Sequence, residues 1–244
     1  MSWVVDAFGP WYPLVYPHRN DAEAERLLRT VAARVEIAGR RILDVGCGTG
    51  RHLARIRALG GLPVGVDLSP ALLAEARRIG VPLVRADMRA LPFASGRFDG
   101  VTSLFTSFGY FSRQEDRLAV REAVRVLAPG GFHVLDFLNR DRVLAHPNPV
   151  SERESGGFRI RERRRLESEG GGRIVKSVTV VAARSGEPVA QYEEGVNLWS
   201  AEELRALLAD SGLRVLHEWG EYDGSPFDAA TSSRHVWLST RERR

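Results

Sequence analysis

Gly46-Cys-Gly-Thr-Gly50 follows the short apolar run Arg41-Ile-Leu-Asp-Val45 and precedes a helical pattern of Leu53, Ile56 and Leu59 that stops at Gly60 and Gly61. Strand, glycine turn and helix in that order bring bare backbone N–H groups and a helix N-terminus against a ligand over the carboxyl edge of a sheet. A dinucleotide fingerprint would require glycine at position 51, where the chain has Arg51 and then His52. The register is instead GxGxG, with Asp44 before it. Asp67 ends the next strand 21 residues after Gly46, a placement that suits both hydroxyls of a ribose. Asp87 ends the third strand. Three carboxylates at successive strand ends are poor company for a pyrophosphate and suit a cationic nucleoside, so the electrostatics favours a sulfonium over NAD.

The elements that must position these residues alternate. Asn20 and Glu23 form a capping signal before Ala24, Leu27, Leu28, Val31, Ala32 and Val35, an amphipathic helical spacing. Residues 63–67, 81–87 and 98–105 read as strands, and Ser69 with Pro70 opens a helix that ends at Gly80. Ser112 and Glu115 open another, ending near Leu127, after which Pro129-Gly-Gly131 turns the chain into strand 132–137. Strands alternating with helices predict a parallel sheet covered on both faces. From about Arg140 the rhythm changes: 158–166, 174–182 and 189–198 read as strands with no helix between them, an antiparallel insertion. Ser200 and Glu203 then cap a helix to Asp210, and 213–222 and 235–239 supply two last strands. The domain expectation is therefore a core of 1–137 with 198–244, in which 1–38 form an N-terminal lid and helix, and an insertion of 138–197 that caps the substrate.

Composition narrows the function classes. The chain has 244 residues, of which 43% are hydrophobic, ample for a core. One cysteine excludes a disulfide framework, and no Cys/His cluster has zinc spacing. The stretch 100–112 is the longest without a charged residue, too short to span a bilayer, and no secretory leader is evident, so a cytoplasmic protein is expected. The formal charge is +4, and all but one of the 35 cations are arginine. Heat adaptation and codon bias account for that equally well.

Leu43-Asp-Val-Gly-Cys-Gly-Thr-Gly50, Gly65-Val-Asp-Leu-Ser69, Ala86-Asp-Met-Arg89, Phe98-Asp-Gly-Val101 and Leu127-Ala-Pro-Gly-Gly131 resemble, in order, the motifs of class I S-adenosylmethionine-dependent methyltransferases. The likeness covers roughly residues 40–137. It implies an α/β, Rossmann-like, doubly wound and mostly parallel seven-stranded sheet, here with the antiparallel β insertion, and S-adenosyl-L-methionine as cofactor. By position, Gly46, Gly48 and Gly50 would let the methionyl part approach. Asp44 would organise its ammonium, Asp67 would hold the ribose, and Asp87 and Met88 would meet the adenine. Cys47, a small buried residue rather than a nucleophile, Leu68 and Phe105 complete the cofactor set. The segment 105–110 would border cofactor and substrate. Tyr12-Pro-Leu-Val-Tyr16 and Arg19 are similar to a lid in which an aromatic and a cation close over the methionine carboxylate, although Trp3, Phe8, Trp11, Tyr12 and Tyr16 also read as a plain hydrophobic plug.

Methyl transfer from a sulfonium is a direct displacement, and alignment of donor and acceptor at about 3 Å contributes roughly 7–11 kcal/mol, so a dedicated base is optional. Tyr110, Asp136, Tyr192, Glu194, His217 and Tyr222 are eligible bases, of which Tyr110 and Asp136 are the ones named. His133 and His217 read as core histidines, and Arg234 as a substrate ligand or the partner of a sheet-edge acid. Cytosine C5 chemistry lacks its cysteine, the Asn/Asp-Pro-Pro-aromatic segment of amino-directed enzymes is replaced by Leu104-Phe-Thr-Ser107, and the acids near the fifth strand do not cluster as metal ligands. A small-molecule acceptor at N or O, and no metal, is the resulting expectation. Arg159, Arg161, Arg163 and Arg165 recur at period two and keep an RNA methyltransferase open as an alternative. Nine cations against eight acids in 151–194 favour a solvated face over a nucleic-acid groove. A non-catalytic S-adenosylmethionine-binding regulator is the second alternative. The sequence leaves monomer and homodimer open.

Overall fold

The computed structural model describes residues 7–17, 20–146 and 149–243. Five strands come first: β1 (Arg41–Val45), β2 (Leu62–Asp67), β3 (Leu83–Arg85), β4 (Phe98–Ser103) and β5 (Leu127–Leu138). Two close the chain, β10 (Leu213–Trp219) and β11 (Arg234–Arg241), and together these seven form one sheet in the order β10-β11-β5-β4-β1-β2-β3. The five leading strands run parallel, and β11 is antiparallel to both β5 and β10. The order reverses between β1 and β4, and such a switch opens a crevice at the carboxyl ends of the strands.

Between β5 and β10 lies a second sheet of β6 (Val150–Ser155), β7 (Phe158–Glu167), β8 (Arg173–Ala182) and β9 (Pro188–Asn197), an antiparallel meander. The helices are α1 (Tyr12–Val15), α2 (Asp21–Ala32), α3 (Arg51–Ala58), α4 (Pro70–Ala76), α5 (Arg113–Val126), α6 (Arg140–Ala145) and α7 (Ala201–Asp210). Their starts follow the local chemistry. Asn20 accepts from the Glu23 N–H, Ser69 from that of Leu72, and Ser112–Glu115 and Ser200–Glu203 are reciprocal capping boxes.

Alternation along the strands sends side chains to two cores. Ile42, Phe132, Val134, Val236 and Leu238 pack with Leu27, Leu28 and Val31 of α2 and Ile56 of α3. Leu43, Leu135, Phe137 and Trp237 pack with Val120 and Ala123 of α5 and Leu204 and Leu208 of α7. A third cluster joins Val15 and Tyr16 to Ile160, Val178, Val180 and Tyr192 of the second sheet. The first described segment is thus tied to the insertion by apolar burial, and the Arg153 guanidinium donates to the Val15 carbonyl as well.

The elements depart from the sequence reading in several places, among them an unexpected helix α6. β3 has three residues rather than the seven expected: Pro82 precedes it, and its ladder with β2 ends in the bond from the Ala86 N–H to the Asp67 carbonyl. Pro129-Gly-Gly131 lies inside β5, which absorbs it through a register shift against β4. β10 ends at Trp219, short of 222. The unanticipated β6 is an edge strand of mostly polar residues, Val150-Ser-Glu-Arg-Glu-Ser155, whose pairing with β7 decides its conformation. Among the described residues no helix is long and apolar enough to cross a membrane.

Candidate active site

A cavity of about 360 Å³ opens over the carboxyl ends of β1, β2 and β4. Gly46 to Thr49, Asp67, Leu68, Asp87 and Met88 line one part of it, and Tyr12, Tyr16, Phe105 and Tyr110 another. Its size falls in the range of small-molecule and cofactor sites.

Four of the five N–H groups of the glycine loop are engaged within the protein. Gly46 and Cys47 both give their N–H to the Val66 carbonyl, at 2.8 and 3.0 Å, Gly48 gives its own to Asp67 Oδ2 at 2.9 Å, and Gly50 bonds back to Cys47. The loop offers close approach instead. Gly46 and Gly48 take φ of +74° and +54°, and a Cβ on Gly48 would meet only Leu72 Cδ1 at 3.9 Å. A Cβ on Gly46 would strike Ser107 Cβ at 2.5 Å. Gly50 does not line the cavity. It starts α3 at φ +83°, and a Cβ there would stand 3.0 Å from Ile79.

Each strand-end acid is placed differently. Asp44 lies beneath the loop rather than in the cavity wall, 1% exposed. Its Oδ1 accepts the Thr102 hydroxyl at 2.7 Å, and its Oδ2 is buried without a partner. Burial pushes its carboxyl up to about 7, against the pull of that hydroxyl and of Arg51. Asp67 lines the cavity and accepts the N–H groups of Gly48 and, at 2.8 Å, Ser69, which leaves lone pairs on both oxygens for a ligand. Burial raises its pKa while these N–H bonds pull it down. Asp87 also lines the cavity. Against the upward push of burial, side-chain and backbone bonds from Arg89 hold it below the usual carboxylate range. Arg89 in turn stacks 4.1 Å over Phe111.

Phe105 and Thr106, at the end of β4, both stand at φ +59°, a left-handed conformation that costs non-glycine residues about 1–3 kcal/mol each. Asp136 holds them there. Its Oδ2 accepts the Phe105 N–H at 2.8 Å, and its carbonyl accepts that of Thr106 at 3.0 Å. The remaining valences go to the Tyr222 hydroxyl, 2.8 Å, and to Arg234 Nε, 2.9 Å from Oδ1. Asp136, named as a base from the sequence, is fully buried and does not line the cavity, and its carboxylate bonds the corner that carries Phe105. Arg234 is the partner of this acid, and Tyr222, buried with its pKa raised by desolvation, belongs to the same support. Tyr110 does line the cavity, with its ring edge-on to Phe8 at 5.2 Å.

The segment 7–17 straps across the opening. Ser69 Oγ donates to the Phe8 carbonyl at 2.6 Å, the Phe8, Tyr12 and Tyr16 rings follow one another at 5.7 and 5.0 Å, and Trp11 packs on Phe158 of β7. Arg19 and Trp3 lie outside the described residues.

Among the lining residues that escaped the sequence reading are His52 and Arg51. His52 lines the cavity from the first turn of α3, its Nε2 buried without a partner, and burial together with Arg51 keeps its pKa well below the ordinary value. Arg51 lines it too, 4.4 Å over the Phe105 ring. Their position directly after the glycine register is the one signal that could have found them.

The family model described as methyltransferase domain matches residues 42–131, the span from β1 into β5. A demethylmenaquinone methyltransferase of Thermus thermophilus is 34% identical over 199 residues, covering 78% of this chain and 81% of its own. Among solved structures, the CcbJ methyltransferase of Streptomyces caelestis shares the fold at TM-score 0.80 and 21% identity, over 98% of this chain and 96% of its own. CalS10, an amino pentose methyltransferase of Micromonospora echinaspora solved with S-adenosylmethionine bound, has TM-score 0.68 and 28% identity, over 94% of this chain and 96% of its own. Gly48 open to the cavity, the orphaned Asp44 oxygen and the two-oxygen face of Asp67 are chemically suited to that cofactor. The chain belongs to the class I S-adenosylmethionine-dependent methyltransferases.

Proposed function

We propose that this methyltransferase modifies N or O of a small-molecule acceptor by direct in-line displacement. The observation that carries the reading is the lining of the cavity: segment 7–17 packs on the antiparallel sheet and brings Phe8, Tyr12 and Tyr16 beside Phe105 and Tyr110, an aromatic border of small-molecule scale. The names of the relatives, one acting on demethylmenaquinone and one on an amino pentose, support the same class of acceptor.

S-Adenosylmethionine, when bound, supplies a methyl carbon on a positively charged sulfur. In this reading Asp67 accepts the ribose hydroxyls, and Gly46, Cys47 and Gly48 allow the methionyl part to lie against backbone. Asp44, beneath them, balances its ammonium across the loop. Met88 and Leu68 pack on the adenine, with Asp87 accepting its amino group in competition with Arg89. Phe105 and Tyr110 face the space beyond the methyl, and the second sheet, expected as its cap, reaches this space only through segment 7–17, since no described residue of 138–197 lines the cavity. No covalent intermediate is required, because the chain's task is to align two reactants in a dry pocket.

Calorimetry tests the donor assignment: saturable S-adenosylmethionine binding in the parent and none in Asp67→Ala is expected, and unaltered affinity in that variant would reject it. Release of S-adenosylhomocysteine in a screen of amine and hydroxyl metabolites tests the acceptor class.

A further inference from the structure

Tyr16 lines the donor cavity, yet its hydroxyl is engaged by the insertion: it donates to Glu194 Oε1 and accepts from Lys176 Nζ. Lys176 and Glu194 face one another across β8 and β9 with Nζ and Oε1 2.5 Å apart, and the ammonium sits 4.0 Å over the Tyr16 ring. All three side chains are buried.

Lys176 is the one lysine in a chain with 34 arginines. Among the described residues it is also the one buried cation. The two facts have a common cause. A guanidinium is a rigid planar fork, whereas an ammonium is compact and carries three rotatable donors, so it can serve a hydroxyl, a carboxylate and a ring face at once. Burying such a pair is weak evidence for stability, because desolvation offsets the Coulomb gain, and fixing one arrangement is the better-attested use of buried ionic groups.

We propose that Lys176 and Glu194 are positioning residues for the donor site, acting through Tyr16. The insertion thereby sets how firmly the strap closes over the cofactor. The tilted ring contact of Tyr16 with Tyr12 and the burial of Val15 give the strap its apolar hold, and the Lys176–Glu194 pair fixes the rotation and depth of the Tyr16 ring against the cavity. This rests on the reading of the cavity as the donor site.

The test measures S-adenosylmethionine affinity by calorimetry and melting temperature in parallel on the full chain. Tyr16→Phe, Lys176→Met, Lys176→Arg and Glu194→Gln are each expected to weaken binding about tenfold, through loss of the fixed ring position against the cavity. Failure of Lys176→Arg to rescue is specific to the geometry, since charge is kept. The double variant Lys176→Met with Glu194→Gln is expected to be no weaker than the worse single one, because both act through one hydroxyl. Arg161→Ala, which removes an exposed pair with Glu152 on the same sheet, is the control and leaves affinity unchanged. Lower melting temperatures with parental affinity in the Lys176 and Glu194 variants would overturn the proposal. Should those variants fail to fold, Tyr16→Phe, which deletes one oxygen, decides alone: parental affinity there also overturns it. Retained binding in Asp67→Ala marks failure of the donor-site reading, and loss there with unaltered binding in the Tyr16 series marks failure of this inference only.

Discussion

The Asp136 carboxylate accepts the Phe105 backbone N–H at 2.8 Å while its other oxygen is held by Arg234 Nε at 2.9 Å. Two left-handed residues in succession persist only if their surroundings over-determine them, and Asp136, Arg234, Tyr222 and the Thr106 hydroxyl, 2.7 Å from Arg234 Nη2, do so. Asp136→Asn should therefore cost about 3 kcal/mol in chemical denaturation, because it leaves Arg234 without its buried counter-charge. Activity should fall together with stability. A general base in that position would behave differently, losing turnover with the unfolding free energy intact.

Gly48 and Gly50 stand two residues apart and should respond in opposite ways. Alanine at 48 meets open cavity, so its stability cost is the left-handed backbone alone, about 1–2 kcal/mol, while the methyl occupies ligand space. Cofactor affinity should drop about tenfold or more by calorimetry. Alanine at 50 presses on Ile79 and Ala76 away from the cavity, and its effect should appear mainly in melting temperature.

Three of the four period-two arginines of β7 are already paired with acids, and Arg163 alone is left without an ion pair. Arg159 pairs with Glu152 and Glu154, Arg161 with Glu152, and Arg165 with Glu167 and Glu193. Arg165 and the Ser177 hydroxyl hold the Glu193 carboxyl down at about 2. A face with its charge balanced has few counterions to release from a phosphate backbone. Filter binding with RNA at low salt should show no association, and a steep salt-dependent retention would revive the nucleic-acid alternative.

What could be read in advance was local. A positive φ at Gly46 and Gly48, a cap at Ser69 and an acid at each strand end are properties of a few neighbouring residues, and the parallel sheet follows from their repetition. The support of the site is not local. Asp136 depends on Arg234 and Tyr222, 98 and 86 residues away, and Tyr16 on Lys176, 160 away. Nothing in the spacing of those residues distinguishes Asp136 as a support from Asp136 as a base, since either role needs an acid at the end of β5. β6 was missed for a related reason: its six residues have little propensity of their own and take their form from β7.

With the donor's ammonium above it as proposed, Asp44 should make cofactor binding depend on pH. Burial raises its carboxyl from 3.8 to about 7, so near pH 6 the unliganded protein holds this proton. A cationic ligand above it favours the ionised form and lowers the pKa in the complex, so binding at pH 6 should expel about one proton. Affinity should rise as pH climbs through about 7 and then level off. The same shift acts on folding with a defined sign: between pH 4 and 7 the native state binds a proton that the unfolded chain has lost, so Asp44 makes stability fall as pH rises across that window. Asp44→Asn should remove both slopes. Calorimetry at pH 6 in two buffers of different ionisation enthalpy measures the proton directly, and an equal proton count in the parent and Asp44→Asn would assign it to another group.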